Sequence, residues 1–448
     1  MPAIITPVAI SNADTLLALH ALNPSRYPFL LESAAQSDAL GSFDILMAFP
    51  GRRLALRESN CDFLGELDRW WLQERIESES TLSLPFYGGW FLFLGYELAG
   101  QIEPSLSLPP DSNVDTALAV RIPAALVQRH SDGQAWIVCE ENSADLAAAL
   151  QADLSAVHAG SAKEQASDLL ASPLAEEAPE KYLSAVRRAL EHIAAGDIYQ
   201  ANLSRGWKAP LKAGVTPDKV YRRLRRANPA PFAALAELGD RAILSSSPER
   251  LLSVRNGIAA TRPIAGTRPR RGDRIDDAER LRELSAHPKE RAEHVMLIDL
   301  ERNDLGRICL PGTVEVDEFM TLESYAHVHH IVSNVRGRMR PDVTPGQAIA
   351  ALFPGGTITG CPKIRCMQII ADTEGVPRGA YTGSMGYLNR DGSMDLNILI
   401  RTLELRDGEV VFRAGAGIVA DSVPERELDE TRAKARGLVR AFEQATPP

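Results

Sequence analysis

The chain has 448 residues and a formal net charge of -10 at pH 7. The length is too great for one simple core and suits a large two-lobed enzyme. The charge argues against general nucleic-acid binding, which needs a basic footprint, but leaves open a small anionic substrate held by local positive charge. Five scattered cysteines, Cys61, Cys139, Cys309, Cys361 and Cys366, form no CxxC or Cys/His zinc pattern. They fit a reducing, cytoplasmic setting. Cys361 and Cys366 are expected in one helix with no special role. The N-terminal Met-Pro-Ala-Ile-Ile-Thr does not read as a secretion signal, and no apolar run approaches membrane-spanning length.

In chain order, Phe29–Ser33 and Phe43–Phe49 read as neighbouring strands, and the aromatic, glycine-rich stretch Phe86–Tyr96 as a tightly packed strand or turn. Ala117–Val127 and Gln134–Cys139 read as a hairpin around Ser131-Asp-Gly133, followed by a helix from Ala144 to Val157. Residues 1–157 thus form an N-terminal region, and the small, polar residues 158–180 a connector. A catalytic region over 181–442 would follow. It opens with a helix, Glu180–Ala195, whose Tyr182, Val186, Leu190 and Ile193 recur at helical spacing. Ile198–Ser204 is then a strand.

Near the end, the apolar Val410–Phe412 predicts a strand, and Gly415 and Gly417 a glycine-rich turn where backbone can approach a ligand. A helix follows, with Ser422 as expected N-cap, Glu425 completing a capping box and Pro424 in the first turn. Glu427 and Glu430 project from one face of that helix, with Lys434 a turn further along. A lone pair of this kind is most simply a solvated face with a Glu430–Lys434 surface pair. A second pair, Glu290 and Glu293, follows Pro288 on another helix. Four carboxylates from two helices could hold Mg²⁺, which prefers oxygen ligands. Glu249 falls at the end of the strand Ala242–Ser245. The Gly/Thr loop Phe353–Lys363 precedes a helix, where amides can bind anions. Arg401 closes an apolar strand as a candidate carboxylate clamp. His329-His330 could handle protons or bind metal, although histidines beside a strand are more often structural.

These motifs, in this order, resemble the chorismate-utilising enzymes, the family of anthranilate synthase component I, aminodeoxychorismate synthase component I, isochorismate synthase and salicylate synthase. The motifs are Ile198-Tyr-Gln-Ala-Asn-Leu-Ser204, Ser247-Pro-Glu-Arg250, Arg262-Pro-Ile-Ala-Gly-Thr267, Asp299-Leu-Glu-Arg-Asn-Asp-Leu-Gly-Arg307, His329-His-Ile-Val-Ser333, Phe353–Lys363, Ile400-Arg-Thr402 and Arg413–Lys434. The resemblance covers about 180–442, and residues 25–130 more loosely. It implies an α/β (α+β) fold of two large antiparallel sheets packed face to face, helices outside, with the N-terminal region contributing strands. It implies that Glu293 and Glu430 bind Mg²⁺, with Glu290 and Glu427 close by. Arg401, Tyr381 and the Gly415 and Gly417 backbone would hold the enolpyruvyl carboxylate of chorismate. Lys434, Thr357 and Gly266 would line the pocket, Glu249 would protonate the departing 4-hydroxyl, and His330 would lie near the ring. Leu31, Glu32 and Ser33 resemble part of the tryptophan pocket of relatives.

Gln200 stands where water-using relatives carry a lysine base. A neutral amide cannot deprotonate water, so ammonia is the expected nucleophile. The chain has no amidotransferase triad of its own, so a separate glutamine amidotransferase subunit is implied. The loop Phe353–Gly360, Gly383–Tyr387 and Asn397–Arg401 look like the aminodeoxychorismate form, which aminates the ring at C4. Ala265 stands where that form often carries a lysine, and reads as anthranilate-like. The motifs together favour 4-amino-4-deoxychorismate, feeding folate synthesis, over anthranilate. A non-catalytic ligand-binding relative is the remaining alternative.

Overall fold

The computed structural model describes residues 3–10, 12, 14–34, 43–57, 61–77, 84–111, 114–159, 168–269, 288–324 and 328–443. Two antiparallel sheets dominate. The larger runs, in order across the sheet, through strands Ile4–Val8, Ala135–Cys139, Ala124–Arg129, Phe43–Ala48, Phe29–Glu32, Phe232–Glu237, Arg241–Ser247, Thr402–Arg406, Glu409–Ile418, Gln200–Pro210 and Gly360–Cys361. The smaller runs through Ile264–Pro269, Val328–Arg338, Ile258–Arg262, Arg250–Arg255, Met394–Asn397, Ser384–Asn389, Gly89–Leu94, Ala117–Ile122 and Arg53–Leu56. Both sheets therefore interleave strands from the two halves of the chain. The expected pairing of Phe29–Glu32 with Phe43–Ala48 is present.

A buried layer joins the two sheets. Phe29, Met47, Val127 and Ile243 of the larger sheet meet Phe91, Phe93, Val120 and Tyr387 of the smaller. Phe29 and Phe91 stack with ring centroids 3.8 Å apart, an aromatic contact that adds about 0.5–1.5 kcal/mol to the burial itself. Helices cover the outer faces. Phe63–Glu74, Pro288–Gly306 and Pro345–Leu352 close over the smaller sheet, while Thr15–Leu22, Pro217–Ala227, Lys363–Glu374 and Pro424–Val439 close over the larger. The helix predicted at 180–195 spans Pro179–Ala194 and buries Tyr182 and Val186 as its spacing required.

Several local expectations need correction. Ala117–Val127 is not one strand. Ala117–Ile122 belongs to the smaller sheet and Ala124–Arg129 to the larger. Pro123, which has no N–H to give to a ladder, stands at the crossing. Gly415 and Gly417 lie inside the strand Glu409–Ile418, not in a turn. The last helix begins at Pro424 with Val423 as N-cap and no side-chain cap. Ser422 instead accepts a hydrogen bond from the Val419 amide at 3.1 Å, so no capping box forms. Cys361 ends a short strand, and only Cys366 is helical. Of the segment 158–180, residues 160–167 lie outside the described residues. Beyond them Leu169 is buried in the core and Ala175–Glu176 pairs with Trp207–Lys208.

Two crossings between the sheets run side by side, and they build the site. Arg241–Ser247 leaves the larger sheet and becomes Arg250–Arg255 of the smaller. Met394–Asn397 of the smaller sheet becomes Thr402–Arg406 of the larger. The crossings are bonded to each other: Ser247 Oγ donates to the Ile398 carbonyl at 2.5 Å, the Ile398 amide donates to the Glu249 carbonyl at 3.0 Å, and the Ser246 amide donates to the Arg401 carbonyl at 3.1 Å.

Candidate active site

The crossings open onto a cavity of about 900 Å³, at the upper end of small-molecule sites. Its wall includes Gln200, Glu249, Ala265, Gly266, Glu293, His330, Thr357, Tyr381, Arg401, Gly415, Gly417, Glu427, Glu430 and Lys434. Residues from seven of the eight sequence motifs, together with Glu293 and Tyr381, thus converge on one space. Side chains of Glu290 and His329 lie outside the described residues.

Glu249 sits in the first crossing and is 5% exposed. Burial raises its pKa to about 7, against the opposing pull of the Thr357 hydroxyl, Lys434, Arg401 and the Ile264 amide. A carboxyl in that range is protonated for a substantial fraction of the time at neutral pH and can act as an acid. Arg401 sits in the second crossing, not at the end of an apolar strand. Its φ is 52°, a left-handed backbone that an arginine adopts at a cost of order 1–3 kcal/mol. The bonded crossings hold it there, facing the cavity.

The two cavity glycines explain themselves by proximity. A Cβ on Gly415 would lie 2.6 Å from the Tyr381 hydroxyl and 2.8 Å from Asn202 Oδ1. A Cβ on Gly417 would lie 2.4 Å from Gln200 Nε2. Side chains at either position would fill the floor of the cavity. Gln200 Nε2 donates to Glu293 Oε1 at 3.2 Å, which ties the Gln200–Pro210 strand to the helix Pro288–Gly306. His330 is buried, and its Nδ1 lies 3.4 Å from the Gly266 carbonyl, a group that can only accept.

Glu293 faces the cavity from the helix Pro288–Gly306, and Glu427 and Glu430 face it from Pro424–Val439. Lys434 Nζ lies 2.8 Å from Glu430 Oε1. The simple surface pair is therefore real, yet both partners also line the cavity. Among the described residues no three acidic or histidine groups converge to hold a metal. The donors suit a hard cation in chemical type: carboxylate oxygens from two helices, with room for waters and a substrate oxygen.

Sequence reasoning missed the support beneath this wall. Glu374, fully buried, accepts from the Ser204 amide at 2.8 Å, from Arg378 at 2.7 and 3.1 Å and from Arg413 at 3.1 Å. Arg378 also donates to the Asn202 carbonyl at 2.7 Å. The network ties the Gln200–Pro210 strand to the Glu409–Ile418 strand and to the loop bearing Tyr381. Asn202, which lines the cavity with its Oδ1 buried and lacking a hydrogen-bond partner among the described residues, was quoted only as part of a motif.

Leu31, Glu32 and Ser33 do not line the cavity. Glu32 accepts from Tyr221 at 2.6 Å and from Arg225 at 2.7 Å, and the Ser33 amide donates to Asp44 at 2.8 Å. They form a separate buried polar cluster.

The sequence profile described as chorismate binding enzyme matches residues 26–440. The chain belongs to the chorismate-binding enzyme family. It is 40% identical over 381 residues to aminodeoxychorismate synthase component 1 of Bacillus subtilis, covering 82% of this chain and 80% of that protein. It is 43% identical over 366 residues to anthranilate synthase component 1 of Thermus thermophilus, covering 81% and 79%. Among solved structures, anthranilate synthase component I from Streptococcus pneumoniae superposes with a TM-score of 0.78 at 33% identity, covering 89% of this chain and 92% of that one. The menaquinone-specific isochorismate synthase of Escherichia coli superposes at 0.76 with 19% identity, covering 99% and 95%, and shares the fold. The chain is thus a chorismate-utilising enzyme of this fold, similar to two enzymes with different names. Among the described residues no helix is long and apolar enough to cross a membrane.

Proposed function

We propose that this chain is the chorismate-aminating component of an aminodeoxychorismate synthase, converting chorismate and ammonia to 4-amino-4-deoxychorismate. What carries the reading is a neutral Gln200 in the wall of the same cavity as a protonatable Glu249, which is also lined by Thr357 from a loop of the aminodeoxychorismate type. Arg401 and Tyr381 would clamp the enolpyruvyl carboxylate. Glu249 would give its proton to the departing 4-hydroxyl, so that the C–O bond breaks and water leaves. Such a group contributes about 10²–10⁴ in rate. Ammonia, with its own lone pair, forms the new C–N bond and then loses the proton that restores Glu249. Gln200 cannot activate water, which disfavours the hydrolytic outcome. Mg²⁺, when bound, would neutralise the ring carboxylate; Glu293 and Glu430 would hold it, with Glu290 and Glu427 nearby. The ammonia would come from glutamine through a separate amidotransferase subunit.

One observation favours anthranilate instead. Ala265 lines the cavity and is 7% exposed, so no lysine amine reaches the ring from that position. C2 is left accessible to ammonia, and amination there followed by pyruvate loss gives anthranilate. The deciding experiment incubates the chain with chorismate, Mg²⁺ and ammonium salt, with and without an aminodeoxychorismate lyase. 4-Aminobenzoate that appears only with the lyase supports the proposal; anthranilate in both samples replaces it with the second reading. Turnover at the full rate in excess chelator would remove the metal from the scheme.

A further inference from the structure

The cavity extends past the residues used above. Its far wall is made of Ala227 and Asn228, at the end of the helix Pro217–Ala227, and of Arg436, Gly437 and Arg440 at the end of the helix Pro424–Val439. Gly437 allows the two helix ends to close on each other: a Cβ there would lie 2.8 Å from Asn228 Cγ. Arg436 and Arg440 are four apart, so they project from one side of the helix end, both exposed. Two like charges at that spacing repel by a few tenths of a kcal/mol. On the same helix, two other basic side chains are paired: Arg432 with Glu176 at 2.7 Å and Lys434 with Glu430 at 2.8 Å. Among the described residues, Arg436 and Arg440 have no carboxylate partner. The helix C-terminus favours cations, which accounts for basic residues there; it does not account for their place in the cavity wall.

The charge balance gives these residues a use. Chorismate is a dianion at neutral pH, and the protein is negative overall at -10. The Mg²⁺-side wall adds Glu293, Glu427 and Glu430. A dianion approaching along that side meets repulsion. Along the side lined by Arg440 and Arg436 it meets positive charge on its way to Arg401. A cleft lined with one sign of charge raises the local concentration of the opposite ion.

We propose that Arg436 and Arg440 form an anion-collecting mouth to the cavity, which draws a dianionic substrate inward to Arg401. This rests on the chorismate reading and adds the route of approach. The mouth acts before chemistry, so it governs kcat/KM and its salt dependence and leaves kcat nearly alone.

The test uses the full chain, chorismate, Mg²⁺ and ammonium, with no amidotransferase present. The variant R436E/R440E should lose about tenfold in kcat/KM at low ionic strength, with kcat within about twofold of wild type. The deficit should shrink severalfold as added salt screens the mouth. R436K/R440K, which keeps the charge, should match wild type. R188E/K208E, which makes the same change in net charge at exposed positions outside the cavity, should also behave as wild type. An equal kcat/KM for R436E/R440E and R188E/K208E at every salt concentration would overturn the proposal. So would a loss confined to glutamine-driven turnover after a partner is added, which would make the mouth a protein-docking surface. Absence of any chorismate turnover by the wild-type chain would instead overturn the functional reading beneath it.

Discussion

Two carboxylates, both deeply buried and held by different elements, behave in opposite ways. Glu249 faces the cavity and burial takes its pKa up to about 7. Glu374 lies behind the wall, just as deeply buried, and is held below its ordinary value. Burial alone would raise Glu374 as well, but Arg378 and Arg413 bond it directly. Glu249 meets its cations, Lys434 and Arg401, only at a distance. Depth therefore does not decide whether a carboxylate is charged; direct partners do. One region is built to release a proton, the other to stay ionised and rigid.

The comparison can be broken from either side. The largest effect is expected at Glu249. Glu249→Gln keeps the shape and removes the proton, so kcat should fall about 10²–10⁴-fold with chorismate binding largely intact. The wild-type kcat/KM should fall above an apparent pKa near 7, and this limb should vanish in the variant. Next comes Arg378→Met, which strands a buried Glu374 charge and should cost about 3–5 kcal/mol in denaturant unfolding. The variant would show that the support region carries stability more than chemistry if kcat per folded molecule survives.

A subtler effect is the sign of the pH dependence. Glu249 binds its proton more tightly when folded, so the stability it contributes is present below about 4.5 and is lost as pH rises through about 7. Glu374 is the reverse: its contribution is present above 4.5 and is lost as pH falls through its depressed folded value. Unfolding curves between pH 5 and 8 should therefore show Glu249→Gln gaining on the wild type as pH rises. A constant gap across that range would mean that Glu249 is not shifted. The smallest effect is expected at Ser422→Ala. Ser422 bonds Val419 and does not cap the helix, so the loss should be about 0.5–1.5 kcal/mol with no change in helix content by circular dichroism.

Much of the site was legible because its residues sit in short stretches with distinctive chemistry. Glu249, Arg401, Gln200 and the helix carboxylates could be named before any geometry was known. What the sequence hid was long-range. The apolar run Ala117–Val127 continues through Pro123 while the chain changes sheets, so composition does not reveal the crossing. Arg401 reads as the end of an apolar run because a left-handed φ leaves no mark on composition. Gly415 and Gly417 read as a turn, since glycine serves turns and close approaches alike. Glu374 sits at the end of an ordinary amphipathic helix, and only the fold brings Ser204, Arg378 and Arg413 to it.

The interleaving of strands has a consequence for how the protein is made. The Gly89–Leu94 strand pairs with Ser384–Asn389, Leu94 opposite Ser384. A ribosome adding about 5–20 residues per second leaves the first of these strands without its partner for roughly 15–60 s. During that time Phe91 and Phe93, which end up fully buried, belong to a nascent chain that cannot yet close its core. Neither half can mature as an autonomous module, so the two halves synthesised as separate polypeptides should gain structure only when they are produced together.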